Sequence, residues 1–321
     1  MAAEKVINLN EPRWDQSTFG GRAKHFITLT NPLNCLATDS QLDHAKSILD
    51  EYKKTKKLPA GVDEDKLWAA KYLYDSAFHP DTGEKMTRIG RMSAQVPMNT
   101  IVTGCMITFY KTTAATVFWQ WTNQTFNAIV NYTNRSGDAV ITPKQLLASY
   151  VAACGGALST ALYLKSKVKY MNPMYARLVP FAAVCSANFI NIPMMRSNEL
   201  LHGTPVFAPE GQRVGDSKKA ARKGIFLVCI SRVAMALPGF TFVPFITNIA
   251  ENRNLFCRYP MADLPFQMAL VCLCFTFATP LCCALFDQKA TMHINDIEKN
   301  LKEEALKISP KTDTVYFNKG L

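Results

Sequence analysis

One arginine stands inside an otherwise uncharged apolar run: Arg232, flanked by Gly224–Ser231 and Val233–Val243. At bilayer depth such a charge is disfavoured by roughly 2.5–3.5 kcal/mol, so it faces a protein interior or water and takes a partner. A guanidinium offers a carboxylate two parallel hydrogen bonds. Arg232 is therefore a candidate substrate-binding anchor for a carboxylate. The structural alternative is an arginine bonded to backbone carbonyls, or one reaching out from near a span end. Pro238, Gly239 and Pro244 follow on the same run and invite a kink or break, which frees backbone carbonyls and helix ends for a solute.

Asn188 and Asn191 lie three apart in a second apolar run, hence on one helical face. Carboxamides donate and accept, so the pair can read an ammonium and a hydroxyl. Interhelical hydrogen bonding is the structural alternative. Lys111, Asn123 and Asn127, with Gln120 between them, form a third polar stretch. It either lines a path or lies at an interface, and the adjacent Phe118-Trp119-Gln120-Trp121 cluster favours the interface. His79, Pro80, Asp81, Thr82 and Gly83 look at first like a site. One His and one Asp make no metal centre without further ligands, whereas Pro, Asp and Gly are what a tight turn uses. The reading here is a structural turn at His79, Pro80, Asp81 and Gly83, with no metal, no cofactor and no catalytic residue assigned. Neither a P-loop, a nucleophile elbow nor a Gly-rich dinucleotide motif is present, so the chain does not read as an enzyme.

The elements that must position these residues are long apolar helices. A hydrocarbon core of about 30 Å needs roughly 20 mostly apolar residues as helix. Leu264–Phe286, Gln145–Leu164 and Leu178–Met195 carry no charge, and Gly224–Ala250 carries little beyond Arg232. One further span fits within Met92–Asn134, where Lys111 is the lone charge; it most simply ends near Lys111 or the Phe118-Trp119-Gln120-Trp121 cluster, and a sixth, partial or re-entrant segment at 112–130 is the open alternative. The expectation is an all-α, polytopic membrane protein with about five transmembrane helices. Residues 1–97 form a soluble helical N-terminal region, 98–286 the transmembrane domain, and 287–321 a tail. Thr38 and Gln41 stand at capping-box spacing before Leu42, Ala45, Leu49 and Tyr52, which predicts a first N-terminal helix. Asp63 opens a second that Pro80 ends. In the tail, His293–Ile308 has Ile294, Ile297, Leu301, Ala305 and Ile308 on one side and is read as an amphipathic helix. Five spans place the two ends of the chain on opposite sides.

Composition agrees. Lys and Arg number 36 against 25 Asp and Glu, a net charge of +11. The basic residues punctuate the apolar runs, as in Lys165-Lys167-Lys169 and Lys218-Lys219-Arg222-Lys223, so they flank a lipid bilayer and no nucleic-acid partner is expected. Most of the ten cysteines lie inside apolar runs and none forms a C-x-x-C pair, which points to packing. Met1–Thr30 has no hydrophobic signal region, and Glu4, Glu11 and Asp15 argue against a cleaved transit peptide.

Several longer stretches resemble the sideroflexins. These are Asn10-Glu11-Pro12-Arg13-Trp14-Asp15-Gln16-Ser17-Thr18-Phe19, Tyr74–Met86 with its His-Pro-Asp-Thr-Gly run, Gly90–Asn99, Asn188–Arg196, and Tyr316-Phe317-Asn318-Lys319-Gly320-Leu321. The resemblance implies a five-span protein of the mitochondrial inner membrane with its N-terminal region in the matrix. It implies transport of L-serine for one-carbon metabolism, with alanine and cysteine as further substrates. Arg232 would then hold the α-carboxylate, and Asn188 and Asn191 the ammonium and hydroxyl. A homo-oligomer or inner-membrane protein partners are compatible with it. The rival is a membrane scaffold or assembly factor for respiratory-chain or import complexes that transports nothing; costly polar groups within spans favour the carrier.

Overall fold

A computed structural model of the chain describes residues 7–9, 11–79, 82–109, 111–134, 142–167, 170, 176–256, 260–310 and 312–320. The N-terminal region holds α1 (Phe19–Leu29), α2 (Asp39–Thr55) and α3 (Glu64–Ala77). The Thr38/Gln41 capping box forms, and Asp63 caps α3 by accepting from Lys66 N at 2.7 Å. Leu49, Tyr52, Leu67, Trp68 and Tyr72 close a small core between α2 and α3. His25 of α1 meets the Tyr72 ring edge-on at 5.8 Å; its burial there holds the imidazole below its ordinary pKa.

Six longer helices build the bundle: α4 (Gln95–Thr108), α5 (Thr113–Thr133), α6 (Pro143–Lys167), α7 (Val179–Met195), α9 (Lys218–Asn252) and α10 (Asp263–Cys283), with the short α8 (Ser197–His202) between α7 and α9. Three of them, α6, α9 and α10, are long and apolar enough to cross a membrane, and α7 is a shorter apolar helix. The single span expected within Met92–Asn134 is two helices. The second, α5, occupies the place of the alternative segment at 112–130; no Pro or Gly marks the turn between the two. Their outward faces carry Ile101, Phe118, Trp121 and Ile129, while Thr103, Gln120, Asn123 and Gln124 point inward.

Contacts fix the direction of each helix. Gly104 of α4 abuts Met268 of α10, and Thr108 Oγ1 donates to Gln267 Oε1 at 3.3 Å, so α4 and α10 are antiparallel. Thr125 pairs with Tyr150 and Thr116 with Lys165, making α5 and α6 antiparallel. Gln145 Nε2 donates to Met195 O at 3.1 Å, and Gly156 lies so close to Ile190 that a Cβ there would overlap its side chain; α6 and α7 are antiparallel as well. Arg177, just before α7, reaches Glu251 at the end of α9. The six helices thus run alternately between two ends. Arg22 of α1 donates to Ala284 O at 2.9 Å and ion-pairs with Asp287, both just past α10. The N-terminal region and the tail therefore meet at the same end of the bundle. That corrects the expectation of ends on opposite sides, because α4 and α5 add an extra reversal.

The all-α expectation needs a second correction. Strands β1 (Thr204–Phe207), β2 (Arg213–Ser217), β3 (Lys289–His293) and β4 (Thr314–Asn318) form an antiparallel sheet in the order β2-β1-β4-β3. Alternation drives it: Ala290, Met292, Val315 and Phe317 face inward with Val206, and their neighbours point to solvent. The tail helix, α11, is Lys299–Ile308. Ile294 and Ile297 precede it yet join Leu301 and Ala305 in the same core; their spacing mimicked a longer helix. This module is tied to α9 by Glu298, whose carboxylate accepts from Lys218 N at 3.0 Å and Lys219 N at 3.1 Å, a negative charge at a helix N-terminus.

Candidate polar cavity in the helix bundle

A cavity of about 40 Å³ lies among α4, α5, α7, α9 and α10, roughly three times what one water needs. Each helix presents residues one turn apart. Helix α4 supplies Gln95, Asn99 and Thr103, α5 supplies Asn123 and Asn127, and α7 supplies Val184 and Asn188. Helix α9 gives Arg232, Met235, Ala236 and Phe240, and Phe275 of α10 completes the wall. Gly239 keeps that wall tight, since a Cβ there would stand 3.3 Å from the Phe275 ring.

The polar groups are under-satisfied. Asn99 Nδ2 donates to Gln95 Oε1 at 3.2 Å. Asn123 is 4% exposed and its Nδ2 has no partner. Beside it, Gln120 Nε2 reaches Pro180 O at 3.4 Å while its Oε1, like Gln124 Nε2, is unmatched. Each such buried atom costs about 1–3 kcal/mol. Arg232 has neither an ion pair nor a hydrogen bond among the described residues, and no acid lines the cavity. An unbalanced guanidinium faces a ring of carboxamides. This arrangement can take a carboxylate on Arg232, and an ammonium and hydroxyl on the side-chain oxygens.

The structure brings Arg232, Asn188, Asn123 and Asn127 together and leaves two other candidates outside. Asn191 is buried on α7 but does not line the cavity. Lys111 is exposed in the α4–α5 turn. Gln95, Asn99 and Thr103 were missed; their signal was polar residues at every fourth position of one apolar helix. Helix α9 runs unbroken through Pro238 and Pro244, so of the kink or break expected there the break is absent. Each proline still removes one donor, leaving the carbonyls of Ala234 and Phe240 without their helical partner. His79 forms a turn, with Gly83 N donating to His79 O at 2.9 Å and Gly83 at φ +68°. Pro80 and Asp81 lie outside the described residues.

Apolar outer helix faces around an inward polar cavity define a polytopic helical membrane protein. The family model described as Sideroflexins matches residues 8–321, and the chain belongs to that family. It is 55% identical to Sideroflexin-1 of Rattus norvegicus over 315 residues, 98% of each chain. It is likewise 55% identical to Sideroflexin-3 of Mus musculus and 54% to Sideroflexin-1 of Homo sapiens, with the same coverage. No solved structure matches the chain.

Proposed function

We propose that the chain carries small neutral amino acids, L-serine first, with alanine and cysteine as further substrates, across the mitochondrial inner membrane to supply one-carbon metabolism. The observation that carries this is Arg232, unpaired among the described residues, in a bundle cavity ringed by Asn99, Asn123, Asn127 and Asn188. A zwitterion suits it: the carboxylate neutralises the one cation, and the carboxamide oxygens take the ammonium. The small volume favours short side chains. All six bundle helices lie in the bilayer, with α4 and α5 as an amphipathic hairpin whose apolar face meets lipid. Helix α4 spans roughly 20 Å and α5 roughly 30 Å at 1.5 Å per residue, and Thr108 meets Gln267 near the start of α10 while Thr116 meets Lys165 near the end of α6, so the hairpin turns at the far end of the bundle. The N-terminal region and the tail module stand together on the matrix side, flanking a transmembrane domain within residues 98–286. Transport proceeds by alternating access without a cofactor.

Purified protein in liposomes is expected to accumulate radiolabelled L-serine well above protein-free vesicles, with unlabelled alanine competing. Vesicles holding inserted protein that take up no more serine than empty ones would end the carrier reading in favour of a scaffold.

A further inference from the structure

Lys319 is 2% exposed, among the most completely buried side chains of the protein. Three contacts thread it there. Its N donates to Gln288 O at 2.9 Å and its carbonyl accepts from Arg196 Nη1 at 2.7 Å. Gly224 of α9 packs against its backbone, where an added Cβ would stand 3.4 Å from Lys319 O and 3.6 Å from Lys319 Cα. The ammonium is poorly held: it donates to Phe286 O at 3.5 Å and stands 5.8 Å from the Phe286 ring, beyond the usual N–H···O range.

The charges facing it are Arg22 of α1, Arg232 of α9 and Asp287, with the Cys283 thiol of α10. Asp287 is already engaged by Arg22, whose guanidinium also donates to Ala284 O, Gln16 O and Ser17 O. Among the described residues, Lys319 and Arg232 are left as two cations without a committed counter-ion. Burial, then the neighbouring cations, hold the Lys319 ammonium below its ordinary pKa. Met235 lines the cavity and also packs with Phe26, Met92, Cys283 and Ala284. Along α10 and the residues after it, Phe275 of the cavity wall comes first, then Cys283 and Ala284 against Met235, then Phe286 with Lys319, so Met235 stands between the cavity and Lys319 in that order.

We propose that Lys319 is a second carboxylate site on the transport path: when the Met235 partition parts, its ammonium takes over the carboxylate that Arg232 releases toward the end closed by α1 and β4. The inference rests on the carrier reading and adds a second station to it. Two cations in series let the anion move without ever standing unpaired in a poorly solvated passage.

The test uses Lys319→Met, Lys319→Gln and Lys319→Arg in full-length protein. Radiolabelled L-serine counterflow in liposomes is normalised to inserted protein, and equilibrium serine binding is measured on the same preparations. Met and Gln variants are expected to lose about tenfold or more in counterflow while binding serine within about twofold of the unaltered protein, and Arg to restore most of the rate. Counterflow per inserted molecule unchanged in Lys319→Met would overturn the proposal, whatever happens to yield or melting temperature. So would loss of binding together with counterflow, which merges Lys319 with the Arg232 site. Unaltered protein that exchanges no serine refutes the carrier reading and this inference with it; exchange in the unaltered protein confines any failure to Lys319.

Discussion

Replacing Arg232 by leucine is expected to cut serine transport per inserted molecule by about a hundredfold, the loss of two charge-assisted hydrogen bonds worth roughly 3 kcal/mol together. Inserted protein should be as abundant as before, or more so. Arg232 has no ion pair or hydrogen bond among the described residues, so its removal breaks neither and relieves the roughly 2.5–3.5 kcal/mol burden of a cation at bilayer depth. Arg232→Lys keeps the charge but not the planar fork, and its rate should fall between the two. A structural arginine gives the reverse pattern, with abundance falling and the rate per molecule preserved. Uptake of radiolabelled serine, normalised to inserted protein for both variants, separates the cases.

Tags on the two ends of the chain are expected to behave alike. In mitoplasts with an intact inner membrane both should resist added protease, and both should be lost once that membrane is permeabilised. The bundle end shared by α1 and the tail is set by Arg22 on Ala284 O and Asp287 and by Arg196 on Lys319 O. It does not depend on whether α4 and α5 cross fully or enter and return, since either adds an even number of passages. The same pairing of ends resolves the charge pattern. Lys85, Arg88, Arg91, Lys144, Arg196, Arg213, Lys218, Lys219, Arg222, Lys223, Lys289, Lys299 and Lys302 belong to segments at that end, against Lys111, Lys165, Lys167, Arg177 and Arg253 at the other. Such an excess is retained on the inside, which for the proposed carrier is the matrix. One tag cut and the other protected would contradict the arrangement.

Apolar runs were readable in the sequence because a bilayer demands them by length; α6, α9 and α10 stand close to where their hydropathy puts them. Arg232 and Asn188 were readable for the same reason, as polar residues where none is cheap. Helices α4 and α5 were counted as one span, with a second segment at 112–130 only an alternative, since their polar inward faces dilute the hydropathy and the turn at Phe109–Thr112 has neither Pro nor Gly. The polar series Gln95, Asn99 and Thr103 was hidden with them. The choice between Asn188 and Asn191 depends on how α7 is rotated, which a spacing of three cannot give. The sheet escaped because its strands are four or five residues long, and the pairing Val206↔Phe317 joins segments too distant for local periodicity to connect.

The central claim is that a carboxylate is held by Arg232 during transport, and counterflow with paired analogues tests it most directly. Liposomes loaded with unlabelled L-serine should draw in radiolabelled L-serine, and so should liposomes loaded with L-alanine. L-serine amide, which keeps the ammonium and hydroxyl but lacks the carboxylate, should drive no exchange. Exchange driven equally by serine and by its amide would contradict the account, because the site would then be reading the solute without Arg232.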